Sequence, residues 1–214
     1  MTDPAPNFDA GFREQLLLLL KWRRDVRHFL PTPVDDTVIV ALIDAACLAP
    51  SVGYSQPWRF VRVASRAARA AIRANFERCN ADALGDFHGE RARKYATLKL
   101  AGLDDAPCHL AVFTDHGTTT GHGLGRKTMP ETLTYSTVMA VQNLWLAARA
   151  MGIGLGWVSI IDPGEVCRDL ATPPGWSFTA YLCIGYPAAA SDEPELQKLG
   201  WEERSTQSRA IVER

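Results

Sequence analysis

Five consecutive residues, Arg23-Arg24-Asp25-Val26-Arg27, gather three guanidiniums around one carboxylate. Arginine presents a planar, permanently charged fork that matches phosphate oxygens, so the group suits an anionic ligand. Many charge runs are only solvated faces, and three arginines near a helix end admit that reading. Asp25 weighs against it, because a carboxylate set between cations leaves a hydrogen-bond acceptor fixed beside the anion site. That is the posture of a general base or an orienting group, with a local salt bridge as the plainer alternative. A second stretch, Ala49-Pro50-Ser51-Val52-Gly53-Tyr54-Ser55-Gln56-Pro57-Trp58, runs from a loop into an apolar segment. Ser51, Gly53 and Ser55 are small enough for the backbone to approach a planar ring, and the Gln56 amide both donates and accepts at a polar edge.

The chain must position these groups with 214 residues, enough for one sizeable domain spanning residues 1–214. Its 23 basic and 24 acidic residues nearly cancel, so a general electrostatic pull toward nucleic acid is not expected. Five scattered cysteines, none in a Cys-x-x-Cys pair, argue against a disulfide framework or a zinc site and for reduced thiols in the cytoplasm. Leu16 to Leu20 falls far short of the roughly 20 apolar residues that span a bilayer and reads as a buried helix. Asp3 and Asp9 occupy the place of a basic leader region, so neither secretion nor membrane attachment is expected.

Helical patterning runs from about Phe8 to Arg23, where Pro31 and Pro33 prevent further extension, so the Arg group lies at a helix end. A second helix is predicted from Asp35 to about Leu48, with Val38, Leu42, Ile43 and Ala46 on one face and Pro50 as its stop. Ser65 to about Leu100 reads as helix broken by Gly85 and Gly89. Strands are predicted at Trp58 to Val63, Cys108 to Thr114, Gly154 to Ile161 and Phe178 to Gly185. Four strands separated by helices imply an α/β arrangement. Thr128-Met129-Pro130-Glu131 reads as a capping box, with Thr128 as N-cap of a long helix ending near Met151. That helix carries so many apolar positions, Val138, Val141, Leu144, Trp145 and Ala148 among them, that both faces are expected to be covered, one by a second subunit. The polar tail from Asp192 reads as an arm.

Other patterns carry less. Gly121 to Thr128 lacks the Gly-Lys-Thr of a phosphate loop, and Gly152-Ile153-Gly154-Leu155-Gly156 leads into a strand rather than out of one. The glycine run reads as helix termination plus close packing. His109, His116 and His122 lack the spacing of a helical metal site, and no metal is predicted.

The Arg-Arg-x-x-Arg and Pro-Ser-x-x-x-x-Gln-Pro-Trp patterns resemble the flavin-binding signature of the nitroreductase-like FMN family. Ordinary members carry Pro-x-Glu-Gly on the strand after the long helix, whereas this chain has Gly156-Trp157-Val158-Ser159-Ile160-Ile161-Asp162-Pro163. With Leu98-Lys99-Leu100, Thr128 to Glu131 and Gly200-Trp201-Glu202-Glu203-Arg204, the chain most resembles the flavin-fragmenting branch, the 5,6-dimethylbenzimidazole synthases. The resemblance implies an α/β (α+β) nitroreductase-like fold, a central mixed sheet of four to five strands flanked by helices, and a homodimer with an extended C-terminal arm. It implies reduced FMN as substrate, dioxygen as co-substrate, and electrons from NAD(P)H, either through a separate flavin reductase or by weak intrinsic reductase activity. It points to Asp25 and Ser159 as catalytic, and to Arg23, Arg24, Asp25, Val26, Arg27, Pro50, Ser51, Gln56, Lys99, Trp157, Ser159 and Arg204 as flavin contacts. Asp115 to Lys127 and Phe76 to Tyr95 are long enough to cover a site. The rival readings are an NAD(P)H-dependent nitroreductase that keeps its FMN, which Ser159 in place of Glu disfavours, and a protein that only stores flavin.

Overall fold

The computed structural model describes residues 5–214; Asp3, used above against a leader sequence, lies outside them. Helix α1 spans Ala10–Trp22 and starts where Asp9 accepts from the Phe12 amide at 2.8 Å. Helix α2, Asp36–Cys47, is capped in the same way by Asp35, which accepts from the Thr37 amide. Strand β1, Trp58–Arg62, leads through the Ser65 cap into α3, Arg66–Gly85, and then α4, Gly89–Thr97, so the break falls between the two predicted glycines. Strand β2, Cys108–Asp115, precedes the long helix α5, Thr132–Ala150. Strand β3, Gly154–Val158, is followed by α6, Pro163–Asp169, then β4, Trp176–Gly185, and the short α7, Glu195–Lys198. Asp162 caps α6 and Pro163 opens it, a pairing suited to a first helical turn.

The sheet order is β1-β2-β4-β3, with every strand pairing antiparallel. The expected mixed character is reduced to one isolated parallel bridge, Asp25 to Leu155, on the outer side of β3. The connections through α3–α4 and through α6 reverse direction between neighbouring strands, whereas α5 carries the chain from β2 past β4 to β3, which runs parallel to β2 without pairing with it. Both faces are covered. Leu110, Val112 and Leu182 pack with α2 and α5, while Ala111, Phe113 and Tyr181 pack with Ile72 of α3 and Val166 of α6. Double coverage is why β2 reads as an unbroken apolar run instead of an alternating one.

Two expectations need correction. Thr128 does not cap α5: the helix begins at Thr132, because Met129 to Thr132 closes a turn in which the Thr132 amide donates to the Met129 carbonyl. Pro130 sits inside that turn. Nor is α1 a buried helix, since none of its residues is buried and Leu17 is 67% exposed. Only one flank of α1 meets α5, and its leucines point all round the axis. The predicted double coverage of α5 is also divided: Val141, Leu144 and Ala148 are fully buried, whereas Tyr135, Val138 and Met139 remain uncovered by this chain.

Beneath β4, His109 is fully enclosed, with Nε2 3.1 Å from the Ala106 carbonyl and Nδ1 2.9 Å from the Tyr181 hydroxyl. The carbonyl requires the proton on Nε2, so Nδ1 accepts from Tyr181. Burial, aided by the nearby Arg69, pushes the imidazole down to about 4. Between pH 6.5 and about 4 the unfolded chain therefore binds this proton more readily than the folded one, and stability falls as pH drops through that window. We expect a loss of about 3 kcal/mol there, with the corresponding slope removed in His109→Gln; urea titrations across pH measure it.

Candidate active site

The Arg segment leaves α1 and runs along the free edge of β3. Arg23 ends the helix with its amide bonded to the Leu19 carbonyl, and three residues on the Val26 amide donates to the Leu155 carbonyl at 3.0 Å. The next ladder position is filled by a side chain. Asp25 Oδ1 accepts from the Trp157 amide at 2.9 Å, while Oδ2 accepts from Arg27 Nε at 2.9 Å. Arg27 then donates through Nη1 to the Lys99 carbonyl at 3.0 Å, which ties the segment to the exit of α4. Such closeness needs Gly156, where a Cβ would lie 2.1 Å from the Val26 carbonyl oxygen. Gly154 faces the Val26 side chain in the same way. The glycine run is thus close packing, as its sequence context indicated.

The three arginines divide their labour. Arg27 is only 11% exposed and is held through Nε by Asp25 and through Nη1 by the Lys99 carbonyl. Arg24 spends its terminal nitrogens on backbone carbonyls of Lys21, Arg23 and Asp192, leaving a buried Nε with no partner. Arg23 lies over the Trp145 ring at 4.6 Å and has no carboxylate within ion-pair distance among the described residues. Trp145 Nε1 also donates to the Arg24 carbonyl, so α5 carries the platform on which the segment rests. Burial holds the Arg23 guanidinium below its ordinary value, with Asp25 opposing and Arg204 adding to the shift. Burial, then Arg23 and Arg204, does the same to Arg24. Arg204 thus stands near both, and it lines a cleft of ≈ 560 Å³ together with Arg24, Glu193 and the ion pair of Lys21 with Asp192, leaving Arg23, Arg24 and Arg204 as the neighbouring cations without a carboxylate partner among the described residues. These cations repel one another, which an anion between them would relieve.

Ser159 follows β3 directly, exposed, two residues after Trp157. Trp157 itself faces Trp145, with ring centroids 6.3 Å apart. Lys99 pairs through its ammonium with Asp105, so its fixed contribution to the Arg segment is its carbonyl.

The Pro50 to Pro57 loop lies elsewhere. Ser51 Oγ accepts from the Gln56 amide at 3.1 Å, and Ser136 Oγ of α5 accepts from the Val52 amide at 3.0 Å. Gly53, Tyr54 and Gln56 all have positive φ, a costly run that the neighbouring Leu124 and Gly121 backbone holds in place. Ser55 Oγ is buried and unpartnered. Among the described residues these two atoms, Arg24 Nε and Ser55 Oγ, are the buried side-chain polar atoms lacking a hydrogen bond, and each belongs to one of the two motifs. Ser136 and Trp145 are nine residues apart on α5, so the motifs attach to it roughly 13 Å apart. One chain does not bring them together.

Sequence reasoning undervalued Trp145, read only as an apolar position, and missed a cluster of Phe87, Tyr95 and Trp201 that seats the C-terminal segment on α4. A tryptophan on an otherwise aliphatic helix face was the available signal for the first. Gly156→Ala should destabilise the protein by about 1–3 kcal/mol through the clash with Val26, measurable by chemical denaturation; unchanged stability would contradict this packing.

Residues 20–186 match the nitroreductase family. A 5,6-dimethylbenzimidazole synthase of Rhodospirillum rubrum is 55% identical over 200 residues, covering 94% of this chain and 95% of the relative. One from Rhodobacter capsulatus is 52% identical, covering 92% and 95%. Among solved structures, oxidized iodotyrosine deiodinase bound to FMN and 3-iodo-L-tyrosine aligns with a TM-score of 0.72 at 24% identity, covering 92% of this chain and 97% of that one. The chain belongs to the nitroreductase family and, within it, to the 5,6-dimethylbenzimidazole synthases.

Proposed function

We propose that the protein fragments reduced FMN with dioxygen, yielding 5,6-dimethylbenzimidazole and erythrose 4-phosphate. The flavin is its substrate and is consumed. Supporting this reading are relatives at 52–55% identity that carry the same activity in their names. From the chain itself the support is the unpaired, mutually repelling cation group of Arg23, Arg24 Nε and Arg204, an environment that a phosphate would complete.

In this reading Arg23 and Arg204 grip the phosphate, with the backbone-bound Arg24 as their fixed neighbour. Arg27 acts through Asp25 rather than on the ligand. The isoalloxazine and ribityl parts lie toward Trp157 and Ser159, where the Asp25 carboxylate and the Ser159 hydroxyl accept or relay protons as flavin bonds break. Asp25 already accepts two hydrogen bonds, and a carboxylate retains lone pairs for a third. The reduced flavin supplies electrons to dioxygen. The reduced FMN would be supplied from oxidised FMN by NAD(P)H, through a separate flavin reductase or weak intrinsic reductase activity. Ser159, where ordinary nitroreductases have Glu, favours this function over a hydride-shuttling nitroreductase.

The Pro50 to Pro57 loop, with its unpartnered Ser55 hydroxyl, serves a flavin held by a second copy of the chain. Uncovered apolar residues on α1 and α5, including Leu17, Leu18, Val138 and Met139, provide the surface for that association. Sedimentation should give the mass of two chains, and a monomer would contradict this composite site. The function itself is tested by mixing the protein with chemically reduced FMN in air and measuring 5,6-dimethylbenzimidazole by mass spectrometry. Product should exceed the protein-free control, with losses of about 10²-fold or more in Asp25→Asn and Ser159→Ala. Intact FMN in every sample would favour the nitroreductase reading.

A further inference from the structure

Arg204 stands in an irregular, exposed stretch and has no carboxylate within ion-pair distance among the described residues. Three positions before it, Trp201 is held firmly. Its ring meets Phe87 edge-on at 5.3 Å, Phe87 stacks on Tyr95 at 4.8 Å, and the Tyr95 hydroxyl donates to Asn80 Oδ1 at 2.8 Å. The Trp201 amide donates to the Leu196 carbonyl at 2.8 Å, and Lys94 Nζ donates to the Gly200 carbonyl at 3.2 Å. Arg91 lies over the same indole at 6.0 Å. Gly200 supplies the positive φ that turns the chain from α7 into this seat. The polar tail thus carries one large aromatic anchor on α3 and α4 just ahead of its cation.

Helix α4 is in turn fastened to the other side of the site. Its exit residue Lys99 offers the carbonyl that Arg27 holds, and Arg27 holds Asp25. Phosphate-side and ring-side groups therefore share one support, the α4 helix.

Resting on the flavin reading above, we propose that Trp201 is a positioning residue: its seat on Phe87 and Tyr95 sets Arg204 beside Arg23 and Arg24, and so determines selection of the phosphorylated flavin over riboflavin. Trp201 does not touch the ligand. Its contribution is to spare Arg204 the ordering cost that a free tail would carry on binding.

Equilibrium titration of oxidised FMN and riboflavin, followed by flavin fluorescence, tests this. The unaltered protein should prefer FMN. Trp201→Ala should lower that preference about tenfold while leaving riboflavin affinity unchanged, and Trp201→Phe should largely restore it. Trp201→Ala/Arg204→Ala should be no worse than Arg204→Ala alone, since both remove one interaction. Phe87→Ala, which loosens the seat from the helix side, should share the loss and provides the readout if Trp201→Ala does not fold. A full FMN preference in Trp201→Ala and Phe87→Ala, equal weakening of both ligands, or additive losses in the double variant would overturn the inference alone. No FMN preference in the unaltered protein would overturn the phosphate reading and this inference with it.

Discussion

The Asp25 carboxylate takes the place of a backbone carbonyl at the edge of the sheet. Strand β3 pairs with β4 on one side only, so its outward amides need partners from elsewhere. Val26 and Leu155 pair through the backbone, and the Trp157 amide is met by Asp25 Oδ1. Because the other carboxylate oxygen holds Arg27, one side chain joins the sheet edge, the cation group and the exit of α4. Gly156 is the counterpart of that arrangement, the residue without which Val26 could not come so close.

A single carboxylate so occupied sets limits on its chemistry. Both oxygens of Asp25 are held by hydrogen bonds within the chain, so in the proposed function it would move a proton at a fixed point. Arg27 keeps it in register, and its own burial leaves little of the guanidinium for a ligand. In the proposed function, ligand charge is left to Arg23 and Arg204, both without carboxylate partners among the described residues. At the other end of α5, the strained loop that carries Ser55 has its own unmet hydroxyl. The helix holds the two motifs apart, and under the proposed composite site the uncovered apolar faces of α1 and α5 would be the surface through which a second chain reunites them.

Much of this architecture was legible in the residues. The Gly85 and Gly89 break, the Asp35 and Ser65 helix starts and all four strands follow from local capping chemistry and apolar runs that the folded chain respects. Thr128 misled because Pro130 closes a turn that local pattern does not distinguish from a first helical turn. The leucines of α1 misled because apolar content reports a need for cover without saying which chain supplies it. At the site, Arg23, Arg24, Asp25 and Arg27 were legible as a group. The tying of Asp25 and Arg27 into the framework was not, since it depends on Lys99 and Trp157, residues far off in sequence. Trp201 was invisible for the same reason: its partners Phe87 and Tyr95 meet it only after folding.

Hydrogen exchange at the Trp157 amide, followed residue by residue by NMR, tests the edge contact most directly. If Asp25 completes the ladder, this amide exchanges slowly in the native protein and much faster in Asp25→Ala, while the buried amides of β2 and β4 keep their protection. Equal protection of Trp157 in the two proteins would contradict the role assigned to Asp25 and, with it, the account of how the site is held together.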